Sequence, residues 1–148
     1  MKKSFLIVMA LIAIVFVGGC EKVSDGLYVE GTYEGTAIDT YGGEENLASA
    51  KIEVDSNGHI TSVYLDTEYR GSTKKTLGDD YNMKTYNPSA AGEWYEQVSK
   101  LEKAIVDNQG IDFITLDSEG HTDTVSGCTI KIDALYEALS KALESAKK

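Results

Sequence analysis

Asp55-Ser56-Asn57-Gly58 separates two stretches of two-residue periodicity, and this pairing limits the fold more sharply than anything else in the chain. Before it, Leu47 to Val54 puts Ala48, Ala50, Ile52 and Val54 on one face. After it, Ile60 to Asp66 alternates Ile60, Ser62, Tyr64 and Asp66 with Thr61, Val63 and Leu65. Asn and Gly tolerate the positive φ that a tight hairpin turn demands, and such alternation marks a pleated, half-buried surface. Gly31 to Ile38 alternates Thr, Tyr and Ile with glycine and reads as a third strand, followed by a turn at Tyr41-Gly42-Gly43. An antiparallel sheet beginning with these three strands is predicted.

Helical periodicity appears twice. Trp94, Val98, Leu101 and Ile105 recur at spacings of four, three and four, and Asn108-Gln109-Gly110 stops that helix. Asn87-Pro88 resembles an N-cap with proline at the first helical position. Leu135, Leu139, Ala142, Leu143 and Ala146 share a face, which predicts a final helix over Asp133 to Lys147 packed on the sheet. Ile111 to Leu116 is read as a further strand. Tyr69 to Tyr86 carries no period and is read as a long loop over a sheet edge, a place where function often resides. The fold class is therefore α+β: one domain, an antiparallel sheet packed by two main helices.

The first residues stand outside that domain. Lys2 and Lys3 precede an unbroken apolar run from Phe5 to Val17, too short for the roughly 20 residues a bilayer span needs, so residues 1–19 read as an export signal. The run ends in Val17-Gly18-Gly19-Cys20, which resembles a lipobox. Cys20 is thus a lipidation site, palmitate being one of the acyl groups expected, and residues 20–30 form a lipidated tether before a domain over residues 31–148. The chain is expected on the extracytoplasmic face of the cell membrane, anchored by lipid. Cys128 is then the one remaining cysteine, so no internal disulfide can form.

Charge narrows the function. The formal net charge is −10, and loss of residues 1–19, which hold two lysines and no acid, makes it −12. A nucleic-acid binder that neutralises phosphates needs a clustered Lys/Arg surplus, so no nucleic-acid partner is expected. Neither a nucleophile with its base nor a Cys/His metal cluster is visible in the sequence.

The segment with the most chemistry is Asp123-Thr124-Val125-Ser126-Gly127-Cys128-Thr129. It is small and hydroxyl-rich, Gly127 can take backbone angles closed to other residues, and it leads towards the final helix. Two readings follow from local chemistry. A phosphate at Thr129 would meet the free N–H groups of a helix start; alternatively Ser126 and Thr129 only cap that helix.

These residues resemble the FMN-binding domain of lipoproteins in flavin-based extracellular electron transfer, shared with flavin-bearing subunits of sodium-pumping and Rnf-type oxidoreductases. The family signature is Asp, two variable residues, Ser or Thr, then Gly-Ala-Thr, and Asp123, Ser126, Gly127 and Thr129 match it. Cys128 replaces the usual alanine, and Lys131 and Ile132 replace the Ser/Thr residues that often follow. Gly31 to Gly35, Leu77 to Lys84 and Glu93 to Gln97 also look like segments of the lipoprotein branch. The resemblance implies covalent FMN, joined through its phosphate to Thr129 by a flavin transferase that takes FAD and releases AMP. It implies an electron carrier rather than a substrate-converting enzyme, standing between a quinone-linked donor and an extracytoplasmic acceptor. Asp123 would help present the loop, Cys128 would pack beside the phosphate, and Lys131 would meet its charge.

Other candidates come from position alone. Tyr81 and Met83 lie in the aperiodic segment and could cover a flavin. Trp94 and Tyr95 could face the ring, Trp94 being also a core residue by its stripe. His121 stands two residues before the motif, and His59 beside the hairpin turn reads as surface. Asp79, Asp80, Glu44 and Glu45 lack the ordered oxygen ligands of a calcium loop. The competing function is an acidic surface lipoprotein that binds a small ligand or a cell-wall component without a cofactor; a third is an interaction partner of a membrane complex.

Overall fold

The computed structural model describes residues 25–148. The export signal expected over residues 1–19, and Cys20, lie outside the described residues. Four strands, β1 (Gly31–Asp39), β2 (Asn46–Val54), β3 (Ile60–Tyr69) and β4 (Ser72–Thr73), form one antiparallel sheet in sequence order. The chain is an α+β domain, as the periodicities require. Among the described residues no helix is long and apolar enough to cross a membrane.

The β2–β3 hairpin turns at Asp55 to Gly58. Gly58 takes φ 80°, its N–H donates to the Asp55 carbonyl at 3.0 Å, and the Asp55 carboxylate accepts from the Asn57 and His59 amides. One feature departs from strict alternation. Glu53 pairs with Ser62 but Val54 pairs with Ile60, so Thr61 is an extra residue on β3. Such a bulge swaps the faces. Ile60 therefore joins Val63 and Leu65 in the core, although they fall on opposite phases of the sequence pattern.

α4 (Asp133–Ala146) lies across β1 and β2. Its buried stripe includes Ala134, Ala138, Ala142 and Ala146 beside Leu135, Leu139 and Leu143, and it faces the small residues Gly35, Ala37, Ala48 and Ala50. Small side chains on both layers let the backbones approach closely. A Cβ on Gly35 would lie 2.0 Å from the Ala138 carbonyl oxygen, so glycine is required there. Each fully buried leucine of the stripe contributes about 2 kcal/mol. The strand entry is tied to the helix exit: Val29 N–H donates to the Ala146 carbonyl at 2.8 Å, and Tyr28 is buried.

α3 (Trp94–Asn108) packs on β3 and buries Trp94, Val98, Leu101 and Ile105, the spaced residues of its sequence. Two polar side chains, one in it and one just past its end, also serve β3. Glu102 accepts from Leu65 N–H at 2.6 Å, and Gln109, in the left-handed region at φ 56°, both accepts from Ile60 N–H and donates to the Ile60 carbonyl. These bonds satisfy main-chain groups that no further strand pairs.

Three local expectations change. Asn87-Pro88 does not open α3; Asn87 heads a turn, with Ala90 N–H bonded to its carbonyl, and the helix starts after Glu93. The segment from Tyr69 is not a plain loop, for it holds β4, α1 (Lys74–Leu77), a 3-10 turn over Gly78–Tyr81 and α2 (Met83–Tyr86). Ile111 to Leu116 is not a strand. It folds on itself through Ile114 N–H to the Ile111 carbonyl, and only Leu116 forms a single bridge, to Thr122.

Candidate functional site

The elements that replace the expected loop build one wall of a cavity of about 290 Å³. Tyr81 ends the 3-10 turn and Met83 opens α2, Tyr69 ends β3, and Trp94 begins α3; all four side chains line it. Tyr69 and Tyr81 meet edge to face with ring centres 5.1 Å apart. Glu93 sets the height of α2, accepting from the Met83 and Lys84 amides at 2.8 and 3.2 Å. The opposite wall carries His121, Thr129, Ile130 and Lys131, and Tyr41 and Tyr86 stand exposed at the margin.

Lys74 is the buried cation of this cavity. Its ammonium lies 3.5 Å from the Asp39 carboxylate, 5.5 Å from the centre of the Tyr81 ring and 5.3 Å from that of Trp94. Burial pushes its pKa below the ordinary lysine value, while Asp39 pulls the other way. The residue is held by α1, whose start is fixed when the buried Asp66 carboxylate accepts from Lys75 N–H at 3.1 Å. Lys75 itself pairs with Glu102. Burial also raises the Tyr81 phenol to about 12, so it stays protonated at neutral pH.

The seven-residue motif forms a tight turn followed by an outward step. Cys128 N–H donates to the Val125 carbonyl at 3.2 Å, and Gly127 holds φ 76°, a backbone angle costly for any residue with a Cβ. Cys128 points inward, 2% exposed, and burial raises its thiol to about 11. It is a packing residue. Thr129 then emerges, exposed, at the cavity wall, where Gln97 of α3 accepts from both its N–H at 2.7 Å and its hydroxyl at 3.0 Å.

The turn does not run into the helix. α4 begins at Asp133, its flanking residue is Ile132, and no side chain caps it. Thr129 therefore stands four residues before the helix, and the helix-start phosphate site read from the sequence is not formed around it. The capping reading fails equally for Ser126 and Thr129. Of the residues singled out in the sequence, Thr129, Lys131, Tyr81 and Met83 converge on the cavity. Asp123, Ser126, Gly127 and Cys128 do not line it. Ser126 opens on a shallower groove beside Lys100 and Lys103 instead. Lys131 bonds to Asp133 at 2.9 Å, which raises its pKa, and still borders the cavity.

Trp94 is both core, 4% exposed, and cavity wall. Tyr95 turns away, donating its hydroxyl to Asp79 at 3.1 Å. His121 lines the cavity, its Nδ1 3.7 Å from Asp117. Sequence reasoning missed Lys74, Asp39 and Gln97. The signal for Gln97 was a polar residue beside the apolar stripe of α3; for Lys74 there was none beyond its place in the aperiodic segment. No cluster of three or more metal-ligating side chains occurs among the described residues.

The residue set fits a flavin mononucleotide in kind. Aromatic rings and a thioether offer apolar faces for a planar ring system, and a threonine hydroxyl beside a lysine and a histidine suits a phosphate. No family model matches the chain, no curated protein matches it, and no solved structure matches its fold.

Proposed function

We propose that this protein is an exported, lipid-anchored flavoprotein that carries FMN on Thr129 and passes electrons to extracytoplasmic acceptors. The observation that carries the reading is the position of Thr129: the last residue of the signature-like motif is exposed and lines the aromatic cavity. When bound there, FMN would supply one- and two-electron transfer, the protein contributing orientation and electrostatics. Thr129 would hold the phosphate, with Lys131 offering compensating charge and His121 a ring nitrogen able to donate a hydrogen bond. Trp94, Tyr81, Tyr69 and Met83 would give the ring an apolar bed, and Lys74 would place a positive charge near it. The buried, protonated Cys128 takes no part in the redox chemistry on this reading.

Coexpression of the full chain with a flavin transferase tests the assignment. The protein should turn yellow and gain about 438 Da, the mass of FMN less one water. Thr129→Ala should abolish the gain. Yellow Thr129→Ala protein after denaturing gel filtration would overturn the assignment. Cys20→Ser should leave the chain unlipidated, visible as uncleaved precursor or soluble exported protein. A wild-type chain that binds a small anionic aromatic ligand reversibly, with no gain of mass, would favour the cofactor-free binding lipoprotein.

A further inference from the structure

Gln97 is wholly buried on α3, in register with an otherwise apolar stripe, and its amide is saturated on both ends. Its Nε2 donates to the Gly92 carbonyl at 2.8 Å and to the Met83 sulfur at 3.7 Å, and its Oε1 accepts from Thr129 N–H at 2.7 Å and from the Thr129 hydroxyl at 3.0 Å. The amide cannot be turned over. A carbonyl at Gly92 only accepts and a backbone N–H at Thr129 only donates, so the two main-chain groups dictate which end of the amide faces which. Burying an amide costs free energy unless its bonds are made, and here four are made, two of them to Thr129.

We propose that Gln97 is the positioning residue of the Thr129 acceptor, and that esterification of the hydroxyl drives the Thr129 side chain off Gln97 while the main-chain bond stays. This rests on the reading of Thr129 as the flavin attachment point. In the free chain the hydroxyl proton is engaged by Gln97, which fixes the side-chain torsion and leaves the oxygen lone pairs as the only open function of that atom. Transfer forms the Thr129 Oγ1–phosphorus bond and breaks the phosphoanhydride of FAD. AMP leaves, and the hydroxyl proton passes to a base of the transferase, because an amide carbonyl is too weak a base to keep it.

After transfer, Oγ1 carries no proton. Gln97 Oε1 and the ester oxygen would then be two acceptors 3.0 Å apart, a contact that repels. Turning the amide over would set an NH₂ against Thr129 N–H and an oxygen against the Gly92 carbonyl. The release available at least cost is rotation of the Thr129 side chain away from Gln97. Attachment thereby changes one torsion without unfastening the loop, which stays held by Thr129 N–H.

The test uses purified full chain, a purified flavin transferase, magnesium and FAD, read by time-resolved intact mass. Gln97→Leu should lower kcat for flavin transfer roughly tenfold to a hundredfold with KM for the chain nearly unchanged, since misplacement of a reacting group acts on the chemical step. Gln97→Glu, in its protonated form, keeps a carbonyl for Thr129 and an O–H for Gly92, so its rate should recover towards wild type as the pH is lowered. NMR supplies a readout independent of transfer. In the flavin-free chain the Thr129 amide should exchange slowly; on esterification the Thr129 χ1 couplings should change while that amide stays protected. A wild-type chain that takes no flavin overturns the attachment reading itself. A wild type that takes flavin while folded Gln97→Leu keeps its rate overturns only the positioning role. Unchanged χ1 couplings overturn the release. If Gln97→Leu fails to fold, Gln97→Glu and the wild-type couplings decide: no recovery at low pH, or unmoved couplings, rejects the proposal.

Discussion

Lys74 and Asp39 form an ion pair that joins the end of β1 to α1, with side chains only 8% and 13% exposed and an N–O separation of 3.5 Å. The pair closes the floor of the aromatic cavity, since both residues line it. Removing one partner leaves the other charge poorly solvated, a cost that commonly exceeds what the pair itself contributes. Lys74→Met should lower unfolding free energy by about 3 kcal/mol, and adding Asp39→Asn should restore most of it. Denaturant unfolding of the two single variants and the double variant gives the coupling directly. In the flavin-loaded chain the same Lys74→Met should make the midpoint potential more negative, because a cation near the ring favours its reduced, more negative state. A potential that does not move would place Lys74 outside the electrostatic reach of the ring.

Cys128 gives a pH signature of folding. Its thiol, 2% exposed, is raised by burial from 9.0 to about 11. Below pH 9 both folded and unfolded chains carry the thiol, and its contribution is complete. Between about 9 and about 11 the unfolded chain loses that proton while the folded chain keeps it, so stability falls as the pH rises through this window. The loss should approach roughly 2 kcal/mol, and Cys128→Ala should lack it. Tyr64 and Tyr81, both raised to about 12, act in the same direction and cancel in the comparison. Unfolding midpoints of the two proteins from pH 8 to 10.5 check this: parallel curves would show that the thiol does not sense its burial.

The hairpin and both long helices were legible because their signals are local. Asn57-Gly58 sets the turn, and the stripes of Trp94 to Ile105 and Leu135 to Ala146 set the buried faces. Ile111 to Leu116 misled for a tertiary reason. A β-favouring run needs a ladder partner, and Glu102 and Gln109 already occupy main-chain groups along β3. The bulge at Thr61 left one trace, the change of phase between Ile60 and the Val63–Leu65 pair, but only the pairing with β2 shows which residue is extra. In the site, Thr129, Lys131, Tyr81 and Met83 were found from motif and position. Lys74 was not, because only packing distinguishes a buried lysine from a solvated one. Gln97 broke the polarity pattern of its helix, and that break is the mark of a residue kept for its hydrogen bonds.

On the proposed reading, electrons would leave the protein in encounters shaped by its charge. The formal net charge of −10, which would become −12 if residues 1–19 are removed as proposed, creates a negative field that acts before contact, while the cavity margin exposes Tyr41 and Tyr86 and bears Lys131. Encounter should therefore favour cationic acceptors, such as positively charged iron chelates, over anionic ones of matched potential. Exposed charges are screened beyond about 8 Å at physiological ionic strength, so the long-range part of the preference should shrink as salt is added. Stopped-flow oxidation of the reduced, flavin-loaded chain by one cationic and one anionic acceptor across a salt series measures it. The cationic rate should fall and the anionic rate rise with ionic strength, the two converging at high salt. Equal rates at low salt would mean that the local charge of Lys131 and Lys74 at the cavity outweighs the field of the whole molecule. Charge-reversing substitutions around the cavity margin, rather than on the distant sheet face, would then control the acceptor preference.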